Sequence, residues 1–344
     1  MISVTGKKWK EYSPNKNLVE KLKQDHSFSD ILSKLIISRN FNEEEIFSID
    51  NNLGIKNIFS NNEDYKIATS IVIECIKKKE NICIVGDYDV DGSSATSLLV
   101  RFLNSIDHPN FYYIPDREID GYGASIKLFK KLILKKPKLI IMVDCGSTSN
   151  DAIEFLNDNK IKSIVIDHHE INKPFPKANS IINPKKDKKL IEYSYLCATA
   201  LVYFFVDLLS LKIKSKMNIQ DYLIYVLLAT VCDVMPLRNL NRVIALQVLK
   251  KFKVDSSCFF NEIYSLSKKK KKITINDLGY FLGPILNSGG RLGRSIYATK
   301  VLSSDDVEII KKFTFELFEL NNKRKVIETA TLNEIDFDKI DKDN

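Results

Sequence analysis

The chain has 344 residues, 44% of them hydrophobic, enough for a sizeable core and two or three lobes. Lys and Arg number 52 against 44 Asp and Glu, and this net charge of +8 fits a polyanionic partner, although with only eight arginines the excess is nearly all Lys and also fits an AT-rich coding bias. No apolar run reaches the length of a membrane span, no signal-peptide core opens the chain, and the six cysteines lack CxxC spacing, so membrane-spanning and disulfide-stapled secreted classes are excluded and a reduced cytoplasmic protein is expected.

Residues 1–64 read as a small helical lobe. Leu18, Leu22, Ile31, Leu32, Leu35 and Ile36 recur at helical spacing. Asn42 is placed to cap a short helix over 41–46 whose first turn is acidic. The Asn-rich stretches at 50–52 and 61–62 read as loops. No chemistry is visible in this lobe.

From residue 65 helices and strands alternate. The pattern predicts a helix over 65–79, a strand at 82–86, a helix at 94–104 and a strand at 111–114. A helix at 124–135, a strand at 139–143, a helix at 150–159, and strands at 162–166 and 180–182 follow. The fold class is therefore α/β, a mostly parallel sheet with helices on both faces, spanning 65–237 with two largely apolar helices at 196–212 and 219–232. The first of these is apolar nearly all round and is expected to be buried.

Residues 238–332 are expected to complete the core. They hold the loop Lys268 to Lys272, a Gly-rich segment from Leu286 to Arg294, and a long helix reaching about 330. Ser303 with Asp306 three residues on is expected to open that helix as a capping box. The tail 333–344 is polar and expected to fray.

Ligands of open α/β sheets bind outside the carboxyl ends of the strands. The first strand runs into Asp87, Asp89 and Asp91, at i, i+2 and i+4. Like charges so crowded are unfavourable unless a cation lies among them, and carboxylate oxygens suit Mg2+ or Mn2+. A solvated turn is the plain alternative for this stretch alone. The strand at 139–143 delivers Asp144, the strand at 162–166 delivers Asp167, His168 and His169, and Asp233 follows the apolar stretch 226–231. Carboxylates and imidazole gathered at one edge can hold two divalent ions, activate a water between them and clamp a phosphoryl oxygen. A remaining histidine can bind the phosphate or protonate the leaving oxygen. Gly289 and Gly290 with Arg291 and Arg294 read as a phosphate contact, the glycines opening backbone N–H groups to an anion and arginine supplying a bidentate fork.

These motifs, Val85 to Gly92, Asp144-Cys145-Gly146, Asp167-His168-His169 and Ala229 to Leu237, resemble those of the DHH phosphoesterase family. Flanking pieces match as well: Tyr113 to Arg117 with Gly121-Tyr122-Gly123, Ile182-Asn183-Pro184, and Leu286 to Arg294. The resemblance covers essentially the whole chain and is strongest to the nuclease branch. It implies that Asp89, Asp91, Asp144, His168 and Asp233 are metal ligands with Asp144 bridging, and that Asp87 is a ligand or supports one. It further implies that Asp167 orients the cluster, that His169 contacts the scissile phosphate, and that Arg291 and Arg294 hold the DNA. The implied cofactors are two divalent ions, Mn2+ or Mg2+. The implied partner and substrate is single-stranded DNA, hydrolysed 5′ to 3′ to mononucleotides in recombination and repair.

Two departures accompany it. Val85 stands where many members have a metal-binding histidine four residues before Asp89, which puts more weight on Asp87. Ala198 and Ala200 stand where relatives often have glycines. The nuclease branch also continues into DHHA1 and OB domains, so a separate chain or a missing region is expected to supply those functions. The alternatives are a phosphodiesterase for short oligonucleotides or cyclic dinucleotides, and a non-catalytic replication protein that keeps the fold and loses the metals.

Overall fold

The computed structural model describes residues 2–8, 10, 13–50, 54–116, 119–121 and 123–334. The loop expected at Asn51 and Asn52, the flanking residues Arg117 and Tyr122, and the tail from 335 to 344 lie outside the described residues.

The chain divides into two compact units, Met1–Gly54 with Arg238–Val243, and Ile55–Leu237 with Ile244–Asn344. This differs from the sequence-based boundaries at 64 and 237. The short segment that follows Leu237 joins the helical lobe because Arg238 pairs there with Glu45 and bonds the carbonyls of Arg39 and Asn40.

The first unit holds α1 (Lys16–His26), α2 (Asp30–Ser38) and α3 (Glu43–Asp50). Leu22, Phe28 and Ile36 form its small core. Asn42 caps α3 as expected: its Oδ1 accepts the Glu45 N–H at 2.8 Å, while the Glu45 carboxylate accepts the Asn42 N–H at 3.0 Å.

The second unit is built on a sheet. α4 (Glu63–Lys78), capped by Asn62, leads into β1 (Ile82–Val85). α5 (Val90–Ser105), β2 (Asn110–Tyr113), α6 (Ile126–Leu132), β3 (Leu139–Val143), α7 (Asn150–Asp158), β4 (Lys162–Ile166) and β5 (Ser180–Ile182) follow. The strand order is β2-β1-β3-β4-β5 and every pairing is parallel. β1 and β3 are buried on both faces, which is why they read as unbroken apolar runs rather than alternating ones. α6 and α7 cover one face, packing Leu128, Phe129, Ile153 and Leu156 on Cys83, Val85, Ile140 and Met142. α5 and the buried helix α8 (Ala198–Ile213) lie against the sheet as well, and α9 (Leu223–Cys232) packs on both of them.

The rest of the chain is helical: α10 (Asn239–Lys251), α11 (Cys258–Leu266), the short α12 (Ile275–Asp277), α13 (Gly283–Arg291), α14 (Ile296–Ser303) and α15 (Val307–Glu334). A π-helical stretch over Leu278–Leu282 joins α12 to α13. The structure departs from the sequence reading at two places here. The Gly-rich segment, expected to offer free backbone N–H groups to an anion, is mostly helix. α15 is opened by Asp306, whose Oδ1 accepts the N–H groups of Glu308 and Ile309, while Ser303 ends the preceding helix. The cysteines are all free; Cys75, Cys83, Cys145 and Cys197 are buried, whereas Cys258 is exposed and fills no core. Among the described residues no helix is long and apolar enough to cross a membrane.

Candidate metal and phosphate site

The carboxyl ends of β1, β3 and β4 are neighbours because these strands are adjacent and parallel. Asp87, Asp144 and Asp167 each stand just past one of these ends. The turn after β1 is tight enough to demand glycine. A Cβ on Gly86 would stand 2.0 Å from Thr96 Oγ1, and one on Gly92 would stand 2.5 Å from the Asp87 nitrogen. The turn delivers Asp89 as the N-cap of α5, its carboxylate accepting the Gly92 N–H at 2.9 Å. Asp144 adopts a left-handed backbone with φ +60°, a conformation costing a non-glycine residue about 1 kcal/mol or more. Asp233 arrives differently. It is the C-cap of α9, not the end of a strand, and Val234 after it is also left-handed.

The side chains converge into three groups whose ligand atoms lie within 4.8 Å of one another: Asp87, Asp89 and Asp144; Asp91, His168 and Asp233; and Asp144, His168 and His169. His168 Nε2 is 3.3 Å from Asp144 Oδ1, 3.5 Å from Asp233 Oδ2 and 3.6 Å from Asp91 Oδ2. Both Asp144 carboxylate oxygens and His168 Nε2 are buried without a hydrogen-bond partner. Buried polar groups are nearly always paired, and a place for an ion is one of the few physical reasons for an exception.

The electrostatics agree. Burial, then the neighbouring Asp91 and Asp89 charges, pushes the Asp144 carboxyl well above the usual range. Burial and Asp89 raise Asp87 to about 7, and burial and Asp91 raise Asp233 to about 6. Asp89 is raised for the same two reasons, burial and then Asp91. A set of carboxylates so held is short of positive charge, and a divalent ion supplies it.

Asp167 and His169 form a separate pair. Asp167 accepts the backbone N–H groups of Ser147, His168 and His169, and its Oδ1 lies 2.8 Å from His169 Nδ1. Burial opposes its charge, but the bonds from His169 and Ser147 prevail and hold Asp167 below the usual carboxylate range. The Asp167 bond lifts His169 to about 9, so its ring, 58% exposed, is cationic at neutral pH with Nε2 free to face a phosphate. Asn183 ties the arrangement together, donating to Ser147 Oγ and to the His169 carbonyl.

Val85 is buried in the sheet core and contributes no ligand. Asp87 instead joins Asp89 and Asp144. Gly289 and Gly290 sit in the last turn of α13, where backbone N–H groups are spent in the helix. They are close-packing positions rather than an anion loop: a Cβ on Gly290 would stand 2.3 Å from Tyr88 Cδ2, and one on Gly289 would stand 2.7 Å from the Arg294 carbonyl. The contact of Gly290 with Tyr88 brings the helix end, with exposed Arg291, beside the turn that carries Asp87 and Asp89. Arg294 is also exposed. Sequence reasoning missed Ser147, Asn183 and Thr199 as supports of the site, since each acts through a contact 14 to 108 residues distant in the chain.

A cleft of about 600 Å3 opens elsewhere, lined by Arg101, Tyr222, Tyr225 and Lys251 among others. None of the carboxylates lines it. Arg101 lies ten residues beyond Asp91 on α5, about 15 Å along the axis.

Residues 81–230 match the DHH family, N-terminal domain. The chain is 29% identical over 290 residues to the single-stranded-DNA-specific exonuclease RecJ of Haemophilus influenzae, covering 80% of this chain and 50% of that one. It is 29% identical over 275 residues to the protein of the same name from Escherichia coli, covering 76% and 48%. The chain thus spans about half the length of these relatives. In fold it resembles the crystal structure of RecJ in complex with Mn2+ from Thermus thermophilus, with a TM-score of 0.80 at 21% identity, over 94% of this chain and 46% of that one.

Proposed function

We propose that this chain, whose residues 81–230 form a DHH-family domain, is the hydrolytic part of a two-metal exonuclease that removes mononucleotides from the 5′ end of single-stranded DNA in recombination and repair. The observation that carries this reading is the convergence of Asp87, Asp89, Asp91, Asp144, His168 and Asp233, with the Asp144 oxygens and His168 Nε2 buried and unpartnered. The substrate comes from the printed names of the relatives.

The donor set fits hard divalent ions, oxygen-rich with one imidazole. Asp87, Asp89 and Asp144 would hold one ion, and Asp91, His168 and Asp233 the other, with Asp144 close to both. When bound, two such ions supply an activated water and charge neutralisation on the phosphoryl oxygens. The remaining residues orient the substrate. His169, held cationic by Asp167, donates to a non-bridging phosphate oxygen or to the leaving oxygen. Arg291 and Arg294 hold backbone phosphates as exposed forks. The aspartates cannot bind a phosphodiester unaided, because their charges repel it, so activity requires the ions.

The test is hydrolysis by the purified full chain in Mn2+ of a long single strand labelled at either end, a dinucleotide and a cyclic dinucleotide. Mononucleotide release from the 5′ end of the long strand, abolished by chelator, supports the proposal. Preference for the dinucleotide or the cyclic substrate assigns the site to small phosphodiesters instead. No hydrolysis of any substrate, together with no bound metal, leaves a binding protein.

A further inference from the structure

Helix α8 is sixteen residues long and buried over its first nine, yet its N-cap residue, Cys197, makes no side-chain capping bond. The first N–H groups of a helix need acceptors. Here they find one across 107 residues of sequence. The Ala198 N–H donates to Asp91 Oδ2 at 2.7 Å, and the Thr199 N–H donates to Asp91 Oδ1 at 2.7 Å. Thr199 Oγ1 then donates to the Asp91 carbonyl at 2.9 Å. Asp91 and Thr199 are at most 1% exposed.

We infer that Thr199 is a positioning residue for the metal site: with the N-terminus of α8 it clamps Asp91 by side chain and main chain at once, and aims the carboxylate at the ion shared with His168 and Asp233. The inference rests on the two-metal reading above. Each Asp91 oxygen gives one lone-pair direction to an N–H and keeps another for an ion. The helix N-terminus also favours a negative charge at this point. Asp91 Oδ2 faces His168 Nε2 at 3.6 Å, so the side of the carboxylate away from α8 is the side turned to the cluster. Thr199 is closed off from solvent, and its hydroxyl bonds the Asp91 carbonyl. Its effect runs through Asp91.

The β-branched shape of Val matches Thr, so Thr199→Val removes the hydroxyl donor to the Asp91 carbonyl with little change of volume. Partners of metal ligands typically contribute about 10–100-fold in affinity. Calorimetric titration of the full chain with Mn2+ alone is expected to show two sites in the wild type, with one weakened about tenfold in Thr199→Val and restored in Thr199→Ser, which keeps the hydroxyl. Thr199→Ala, read in the same way, serves if the Val variant does not fold. Two unchanged sites in both the Val and Ala variants, or a Ser variant as impaired as Val, overturn the positioning role while leaving the two-metal reading intact. A wild type that binds no Mn2+ overturns the two-metal reading itself, and this inference with it.

Discussion

Glu45 in the helical unit and Asp144 at the sheet edge have side chains that are each 1% exposed, and their surroundings treat the two charges in opposite ways. Glu45 receives the Arg238 guanidinium and the N–H groups of Asn42 and Asn239. The Arg238 bond is the largest influence and holds Glu45 below its ordinary pKa. Asp144 receives no hydrogen bond to either oxygen and stands beside Asp89 and Asp91 instead. The lesson is that burial alone says little about purpose. A carboxylate enclosed with its counter-ion is a closed structural feature, whereas one enclosed among its own kind is open to a cation from solution.

The largest expected effect comes from neutralising the open carboxylate. Asp144→Asn is expected to lower the proposed nuclease activity by about a thousandfold or more, since ion-dependent stabilisation is worth several kcal/mol. The same change is expected to raise the melting temperature of the metal-free protein, because it removes a buried carboxyl whose ionisation its neighbours oppose. Lower thermal stability in Asp144→Asn would break the contrast with Glu45.

Next is the pH dependence of the metal-free chain. Asp87 near 7 and Asp233 near 6 keep protons in the folded state that the unfolded chain has released by about pH 4. The folded state therefore binds more protons between these limits, and stability falls as pH rises, by an amount on the order of 6 kcal/mol between pH 4 and 8. Denaturant melts across that range, repeated in saturating Mn2+, are expected to show the decline without metal and a much flatter profile with it. An increase in metal-free stability over pH 5–7 would contradict the account.

The closed carboxylate sharpens the comparison from the other side. Glu45→Ala removes the partner of Arg238 and is expected to cost about 1–3 kcal/mol, less than a fully buried pair because Arg238 is partly exposed. Mn2+ affinity is expected to stay unchanged, as titration of the variant would show.

The smallest expected effect lies at the exposed arginines. Arg291→Ala is expected to weaken the proposed single-strand binding by a few-fold and to reduce its salt dependence by about one unit of slope, with Mn2+ affinity unaltered. Binding isotherms at several salt concentrations would read this directly, and an unchanged slope would remove Arg291 from the phosphate path.

Much of this contrast was legible in the sequence, for a physical reason. Parallel strands buried on both faces are continuous apolar runs, so β1 and β3 announced themselves, as did the apolar end of β4, and the residues just past these strands carried Asp87, Asp144 and Asp167. Asn42 was readable as a cap because capping is local. The failures were not local. Asp233 is no such failure, since the helix expected at 219–232 does end at it. Gly289 and Gly290 resembled an anion loop, but their lack of a side chain answers Tyr88 and the Arg294 carbonyl, partners set only by tertiary packing. Asp306 rather than Ser303 opens α15, because α14 still occupies Ser303. The clamp on Asp91 from Ala198 and Thr199 spans more than a hundred residues and leaves no periodic trace.

The central claim is that the carboxylates at the sheet edge are enclosed in order to hold two ions. Crystals of the full chain soaked in Mn2+, with anomalous diffraction measured at the manganese edge, test it most directly. Two peaks about 3.5–4 Å apart are expected, one among Asp87, Asp89 and Asp144 and the other among Asp91, His168 and Asp233. No peak within reach of Asp144, or a single ion bound away from it, would contradict the account.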